Sequence, residues 1–313
     1  MNLSVVIPVF NEEKVAAESY RRICSALAPL QPAGDSFELI FVNDGSRDET
    51  ARIVAELARA DSRVRLIDFT RNFGHQAAVT AGVDNARGDA VAIIDADMQD
   101  PPGVILEMLA KWREGFDVVY GKRRARAGET AFKKLTAKWF YRGINTIVET
   151  KFPVDTGDFR LIGRNVAEAV KAMPEHNRYL RGMFAWVGFR QAAVEYDRAP
   201  RLAGETKYSF RKMAKLAVDG IVSFSYSPLR LLSRLGCCGM ALGAGGGIFC
   251  AVSRAWRHPW FFAACLLSAG FFFTGVLLAG MGILGAYVAR IADEVRGRPL
   301  YIIKGKIGFK EAE

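Results

Sequence analysis

The segment "VAIIDADMQDPP", residues 91–102, runs four apolar residues into Asp95 and Asp97, which a single alanine separates, and then into Gln99 and two prolines. Acids delivered by a short apolar run sit at the end of a buried strand, where carboxylate and amide oxygens can hold a hard divalent cation. Two further segments have the same form. "LSVVIPVF" ends in Asn11 and Glu12, and "FELIFVND" ends in Asp44, followed by Gly45 and Ser46. One strand-end aspartate is commonly a helix cap, and "NDGSRDET" alone reads as a turn that opens a capped helix. Three such clusters point instead to one shared site, because an open α/β sheet binds its ligands at the carboxyl ends of its strands.

The ligand chemistry follows from what is missing. A dinucleotide oxidoreductase carries G-x-G-x-x-G after its first strand, whereas this chain has "PVFNEEK" there, and it has no P-loop. The formal charge is +10, so anionic partners are favoured. A basic protein with acids in its crevice and no glycine cradle needs a cation to hold a diphosphate. Oxygen ligands with few protein groups suit Mg²⁺ or Mn²⁺, which bind phosphates directly. Asp97, with Gln99 and Asp95, is thus expected to hold a metal that bridges a nucleotide diphosphate.

The elements that must position these groups alternate along the chain. "LSVVIPVF", "FELIFVND", "VRLIDF", "AVAIIDAD" and "DVVYGKR" are β-rich runs, separated by helical stretches over Glu12 to Leu30, Asp48 to Ala60 and Gly74 to Arg87. The alternation predicts right-handed βαβ units, a Rossmann-like α/β fold with a mostly parallel sheet. A catalytic unit is expected over residues 1–208.

The last third reads as membrane. Residues 235–252 and 260–288 are uncharged and long enough to span a bilayer, with only "SRAWRHP" between them, so a two-helix hairpin is expected. Gly243, Gly245, Gly246 and Gly247 suit close helix contact in lipid. Lys215, Arg230 and Arg234 precede the pair and Arg290, Arg296, Arg298 and Lys304 follow it, which puts both long ends, including a tail over 290–313, on the cytoplasmic side. "MNLSVVIPVF" reads as a strand and lacks the form of a signal peptide. The five cysteines lack zinc-site spacing.

Two basic stretches mix cations with aromatics at near-helical spacing: "AFKKLTAKWFYRGINTIV" and, within a juxtamembrane segment over 209–234, "YSFRKMAKLAVDGIVSFSYSPLRLL". The second is expected on the inner leaflet, against membrane lipids, and the first either there or packed on the sheet as an ordinary amphipathic helix. Because the basic residues gather beside apolar spans and form no groove-reading motif, no nucleic-acid partner is expected.

"VVIPVFNEE", "VNDGSRDET", "RNFGHQAAVTAG", "DADMQDPP", "DTGDFRL" and "GETKYSF" occur in that order. Together they resemble a family 2 glycosyltransferase of the GT-A fold. Within that family the chain is similar to the polyprenyl-phosphate glycosyltransferases, the bactoprenol glucosyltransferases above all and dolichyl-phosphate mannose synthases more distantly. The resemblance extends through both spans and "VARIADEVRGRPLYII".

The resemblance implies a set of roles. Pro8, Val9, Asn11 and Glu12 match the family's nucleotide-binding first loop, Asp44 the acid that contacts base or ribose, and Ser46 and Ala96 further nucleotide contacts. Asp95 and Asp97 match the D-x-D pair and Gln99 the extra metal ligand. Asn43 stands where the family often has a second acid. Asp158 matches the residue assigned as catalytic, and Arg160 in the same segment, with Arg201 and Lys207, should meet the donor diphosphate or the lipid phosphate, Arg160 and Lys207 as part of the catalytic set.

The implied reaction is inverting transfer from a nucleotide sugar, UDP-glucose favoured, to polyprenyl phosphate, with Mg²⁺ or Mn²⁺. Because that acceptor is already anionic, positioning carries more of the rate than deprotonation, and Asp158 is expected chiefly to orient. A homo-oligomer is expected from the relatives. A non-catalytic carrier is the competing class, distinguished by loss of the metal set, which is intact here. A processive synthase would carry more spans and a Q-x-x-R-W motif, and neither appears.

Overall fold

The computed structural model describes residues 1–124, 156–198, 232, 234–236, 238–239 and 259–309. Five strands form where the apolar runs predict them: β1 (Asn2–Val9), β2 (Ser36–Asn43), β3 (Val64–Phe69), β4 (Ala90–Ile93) and β5 (Val118–Arg123). The helices between them are α1 (Ala16–Leu27), α2 (Thr50–Ala60), α3 (His75–Asn85) and α4 (Val104–Arg113). Downstream come β6 (Thr156–Gly163), α5 (Arg164–Lys171), α6 (Leu180–Trp186), β7 (Gln191–Tyr196), α7 (Pro259–Arg296) and β8 (Ile303–Ile307).

β1 and β2 are buried along almost their whole length. Strands covered on both faces by crossover helices read as continuous apolar runs, and these do. Alternation then divides the core. Val5, Ile7 and Val9 face α1, α2 and α4, whereas Val6 faces the other side with Val79 and Val83 of α3 and Val166 and Val170 of α5. Gly82 lets α3 close on β1, since a Cβ there would lie 2.1 Å from Val6 Cγ1.

The eight strands form one sheet in the order β7-β5-β6-β4-β1-β2-β3-β8. The expectation of a mostly parallel sheet holds for the central block, where β4, β1, β2 and β3 pair in parallel, and for β5 with β7. It needs correcting elsewhere, because the sheet is mixed. β6 lies antiparallel to both β4 and β5, and β8 antiparallel to β3. The antiparallel insertion matters for the site. Arg160 pairs with Ile93, so continuing the register by two residues sets Asp158 across from Asp95, at the same end of the sheet as the β1 and β2 loops.

The second expected span, 260–288, lies within α7, a 38-residue helix that runs on to Arg296. Its stretch Phe272–Arg296 contains an 18-residue window with a mean hydropathy of 1.9, none of it buried. Leu277, Leu278, Met281, Leu284, Val288 and Ile291 all stand exposed on it. Among the described residues it is the one helix long and apolar enough to cross a membrane. Most of the first expected span lies outside the described residues, as do the stretch at 131–148 and nearly all of the juxtamembrane segment.

Past α7 the chain returns to the sheet. Glu294 accepts hydrogen bonds from the His176 amide at 2.8 and 2.9 Å. Tyr301 stacks on Phe69, with ring centroids 5.1 Å apart, and its hydroxyl donates to Asp84 at 2.8 Å.

Candidate functional site

The β1 and β2 loops hold each other. The Asn11 amide donates to Ser46 Oγ at 2.9 Å, the Arg47 amide donates to Asn11 Oδ1 at 2.9 Å, and the Glu12 amide donates to Thr50 Oγ1 at 2.8 Å. Asn11 adopts a left-handed conformation, φ 53°, which asparagine tolerates better than most side chains. Gly45 is also left-handed, φ 66°, and a Cβ on it would lie 2.3 Å from the Arg71 carbonyl carbon. Only glycine lets the β2 loop pass the β3 loop this closely. Pro8 and Val9 sit in register with Val42 and Asn43 and form the buried floor beneath.

Between these loops and the end of β3 lies a cavity of about 470 Å³. It is lined by Asn11, Asn43, Ser46, Asp68, Arg71 and Lys304, among others. The volume falls within the range of small-molecule sites. Asn43 is buried, donates from Nδ2 to Asp68 at 2.6 Å and accepts from the Ser46 hydroxyl at 2.5 Å. Lys304 reaches Asp68 at 3.5 Å from β8.

Asp44 does not line this cavity. It is buried, and its oxygens accept from the Phe73 amide at 2.7 Å and the Gly74 amide at 3.0 Å. Burial pushes its carboxyl up, against the pull of those two amides. The structure places it as the anchor of the turn that opens α3.

The second half of the crevice lies at the ends of β4 and β6. The Ile94 amide still donates to Val6, and the chain then leaves the sheet with Asp95 half-buried and Ala96 buried. Asp97 Oδ1 accepts from the Gln99 amide at 3.1 Å, and Met98 between them is left-handed, φ 55°. Burial, and then the carboxylates of Asp158, Asp97 and Asp100, push the Asp95 carboxyl up against the opposing charge of His75. Asp100 is buried and accepts from the Tyr196 hydroxyl at 2.5 Å, with Arg198 at 3.6 Å and Arg123 at 3.9 Å.

Asp158 is gripped from two helices. Arg181, from the first turn of α6, donates from Nε to Oδ1 at 2.7 Å and from Nη2 to Oδ2 at 3.0 Å. His75, at the start of α3, brings Nε2 to 3.3 Å from Oδ2 and to 3.8 Å from Asp95 Oδ1. Burial alone would raise the Asp158 carboxyl, but His75 and Arg181 outweigh it and hold the group well below the usual carboxylate range. Burial alone would likewise depress His75, yet Asp158 and Asp95 raise it to about 9. Arg160 is bonded within its own strand. It is buried, donates to the Gly157 and Asp158 carbonyls at 2.9 and 3.3 Å, and lies 4.7 Å over the Phe184 ring. Burial pushes it down to about 10.

The crevice thus gathers Asn11, Ser46, Asp95, Asp97, Gln99 and Asp158 at one end of the sheet, while Arg201 and Lys207 lie outside the described residues. Sequence reasoning passed over His75, Arg181, Asp68 and Lys304. "RNFGHQ" carried His75 inside a quoted motif with no role attached, Lys304 counted only as a flanking charge, and nothing around Arg181 set it apart.

Comparison with known proteins follows the same line. The profile described as glycosyl transferase family 2 matches residues 4–171. The uncharacterized glycosyltransferase YkcC of Bacillus subtilis is 45% identical over 98% of this chain and 94% of its own length. The bactoprenol glucosyl transferase of Shigella phage SfII is 41% identical over 97% of this chain and 98% of its own. Among solved structures, the mannosyltransferase PcManGT from Pyrobaculum calidifontis, in complex with GDP-Man and Mn²⁺, aligns at 17% identity with a TM-score of 0.47, covering 95% of this chain and 88% of that one.

Proposed function

The chain belongs to glycosyltransferase family 2, and we propose that it transfers a sugar, glucose from UDP-glucose in our reading, to polyprenyl phosphate at the cytoplasmic face of a membrane. The observation that carries this reading is one crevice end holding both a nucleotide-sized cavity and a cluster of carboxylates, in a chain that also carries an exposed apolar helix. Similarity of about 40% to bactoprenol glucosyl transferases along nearly the whole chain supports the lipid acceptor.

In this reading the nucleoside enters the cavity at the ends of β1, β2 and β3, where Asn11, Asn43, Ser46 and Asp68 offer hydrogen bonds. Asp44 contributes by holding the Phe73–Gly74 turn. Asp95 and Asp97, with the Gln99 side chain, fit Mg²⁺ or Mn²⁺, because these ions take one or two carboxylates and leave positions for phosphate oxygens. The crowding that raises the Asp95 carboxyl is what a cation would relieve. Such an ion supplies charge neutralisation at the departing diphosphate.

The acceptor phosphate oxygen bonds to the anomeric carbon as the bond from that carbon to the diphosphate breaks, with inversion. The attacking group is already an anion, so no proton need be removed. Asp158, paired with Arg181 and His75, is the wrong instrument for a base and a suitable one for fixing cations around the acceptor. Arg201 and Lys207 complete the anion-binding side in this proposal, by charge-assisted bonds.

The donor is tested by incubating membranes that contain the protein with radiolabelled UDP-glucose, UDP-galactose or GDP-mannose and extracting the lipids. Label should enter the polyprenyl-phosphate fraction from UDP-glucose. Entry only from another donor would replace the sugar in this proposal and leave the acceptor standing.

A further inference from the structure

Asp158 is placed by β6, but its carboxylate is set by α6, an element that contributes nothing to the nucleotide cavity. The Arg181 guanidinium takes both oxygens through two N–H groups at 2.7 and 3.0 Å, a fork-to-fork geometry that fixes the carboxylate plane as well as its charge. The Asp158 side chain is 14% exposed and that of Arg181 33%.

The first turn of α6 is in turn sewn to the first turn of α3, where the Leu180 amide donates to Gln76 Oε1 at 3.1 Å. Gln76 follows His75, the other partner of Asp158. Leu180, Met183 and Phe184 pack into the same buried cluster as Val79 and Val83, which keeps α6 from sliding. Beneath, Arg160 stacks on Phe184 and ties the Gly157 and Asp158 carbonyls to the same helix. These contacts converge on the orientation of one carboxylate.

We infer that Arg181 is a positioning residue for the transfer step: it locks Asp158 in one plane, so that the two act as a single unit toward the acceptor. The inference rests on the reading of Asp158 as the residue that orients the acceptor side. It assigns Arg181 no contact with the nucleotide, whose cavity lies at the ends of β1 to β3. Loss of Arg181 should therefore appear in kcat and leave donor KM largely untouched.

The test is a kinetic double-mutant cycle on the full-length, detergent-purified protein, with UDP-glucose as donor, undecaprenyl phosphate as acceptor, and Mn²⁺ present. Arg181→Gln and Asp158→Asn should each lower kcat by about 30-fold or more, with donor KM within about threefold, and the double variant should fall no more than about threefold below Asp158→Asn. Arg181→Lys keeps the charge without the fork and should lose about tenfold, between wild type and Arg181→Gln. The lysine variant also keeps the test decisive if Arg181→Gln unfolds, as judged by its thermal midpoint.

Activity of Arg181→Lys equal to wild type would overturn the inference. So would single losses that multiply in the double variant, or a loss carried wholly by donor KM. An active wild type with any of these results removes the inference and leaves the proposed function intact, whereas a wild type that transfers nothing from any donor removes both.

Discussion

Asp158 and Asp97 divide the work of the crevice at the residue scale, and their environments differ accordingly. Asp97 sits on a loop beyond β4 whose acids crowd Asp95, and in the proposed reaction its role is to carry a cation. Asp97→Asn should cut metal-dependent transfer by about 100-fold or more, measured as initial rate against Mn²⁺ concentration. Asp158 is held ionised by Arg181 and His75, and its depressed carboxyl stays charged until the pH falls well below the usual range. The loss in Asp158→Asn should therefore persist across pH 6 to 9, read from the pH profile of kcat. Rescue that climbs with pH would mark Asp158 as a base and contradict the orienting role.

A third residue-scale prediction concerns stability. Arg63 holds Asp61 down to about 2, against an ordinary 3.8, with help from the Tyr20 hydroxyl at 2.8 Å. A carboxyl whose folded value is depressed stabilises the fold fully above its unfolded value and loses that contribution as the pH falls through the folded one. Discounted for the exposure of Arg63, the pair is worth about 1–2 kcal/mol at neutral pH. Asp61→Asn should lower the thermal midpoint at pH 7, with the gap closing as the pH is taken from 4 towards 2. The acids of the crevice were legible because strand-end Asp after an apolar run is a local pattern. Arg181 and His75 were not, because their partners lie 23 and 83 residues away in sequence.

At the scale of elements, the same contrast holds. β1 to β5 and α1 to α3 could be read because apolar runs and helical stretches alternate along the chain, bounded by turn residues. β6 could not, since "TGDFRLIG" holds two glycines and two charges and becomes a central strand only by insertion between β4 and β5. β8 lies beyond an apolar helix, where sequence suggests a tail, and earns its place through Tyr301, Ile303 and Phe309 packed on the β3 side of the core. Tyr301→Ala removes the stack on Phe69 and the hydrogen bond to Asp84, and should destabilise the catalytic unit by about 2–4 kcal/mol, seen in thermal unfolding. Because β8 also carries Lys304 to the cavity, the same variant should weaken nucleotide binding. An unchanged midpoint would show β8 to be a passenger.

Across the whole molecule, α7 is about 57 Å long at helical rise, well beyond the roughly 30 Å of a bilayer core. Its Glu294 end is tied to the His176 amide, so a span along its apolar length, as proposed, would set the sheet on one side of the membrane. An apolar surface of this extent in water marks a partner, and lipid is the partner that fits a helix exposed along its apolar length. Protein in native membranes should stay in the pellet through an alkaline carbonate wash. Release into the supernatant would count against a spanning helix. Hydropathy made the apolar helix α7 legible, while the return of the chain to the sheet depends on contacts that no local pattern records.

The most direct test joins these scales in one reaction. Purified full-length protein, undecaprenyl phosphate, labelled UDP-glucose and Mn²⁺ are combined, and the lipid product is identified by mass spectrometry, beside EDTA and Asp97→Asn controls. The account predicts a polyprenyl phosphate that has gained one hexose, formed by wild type and absent from both controls. Wild-type protein that binds UDP-glucose yet forms no glycosylated lipid from any donor, or forms it equally in EDTA, would contradict it.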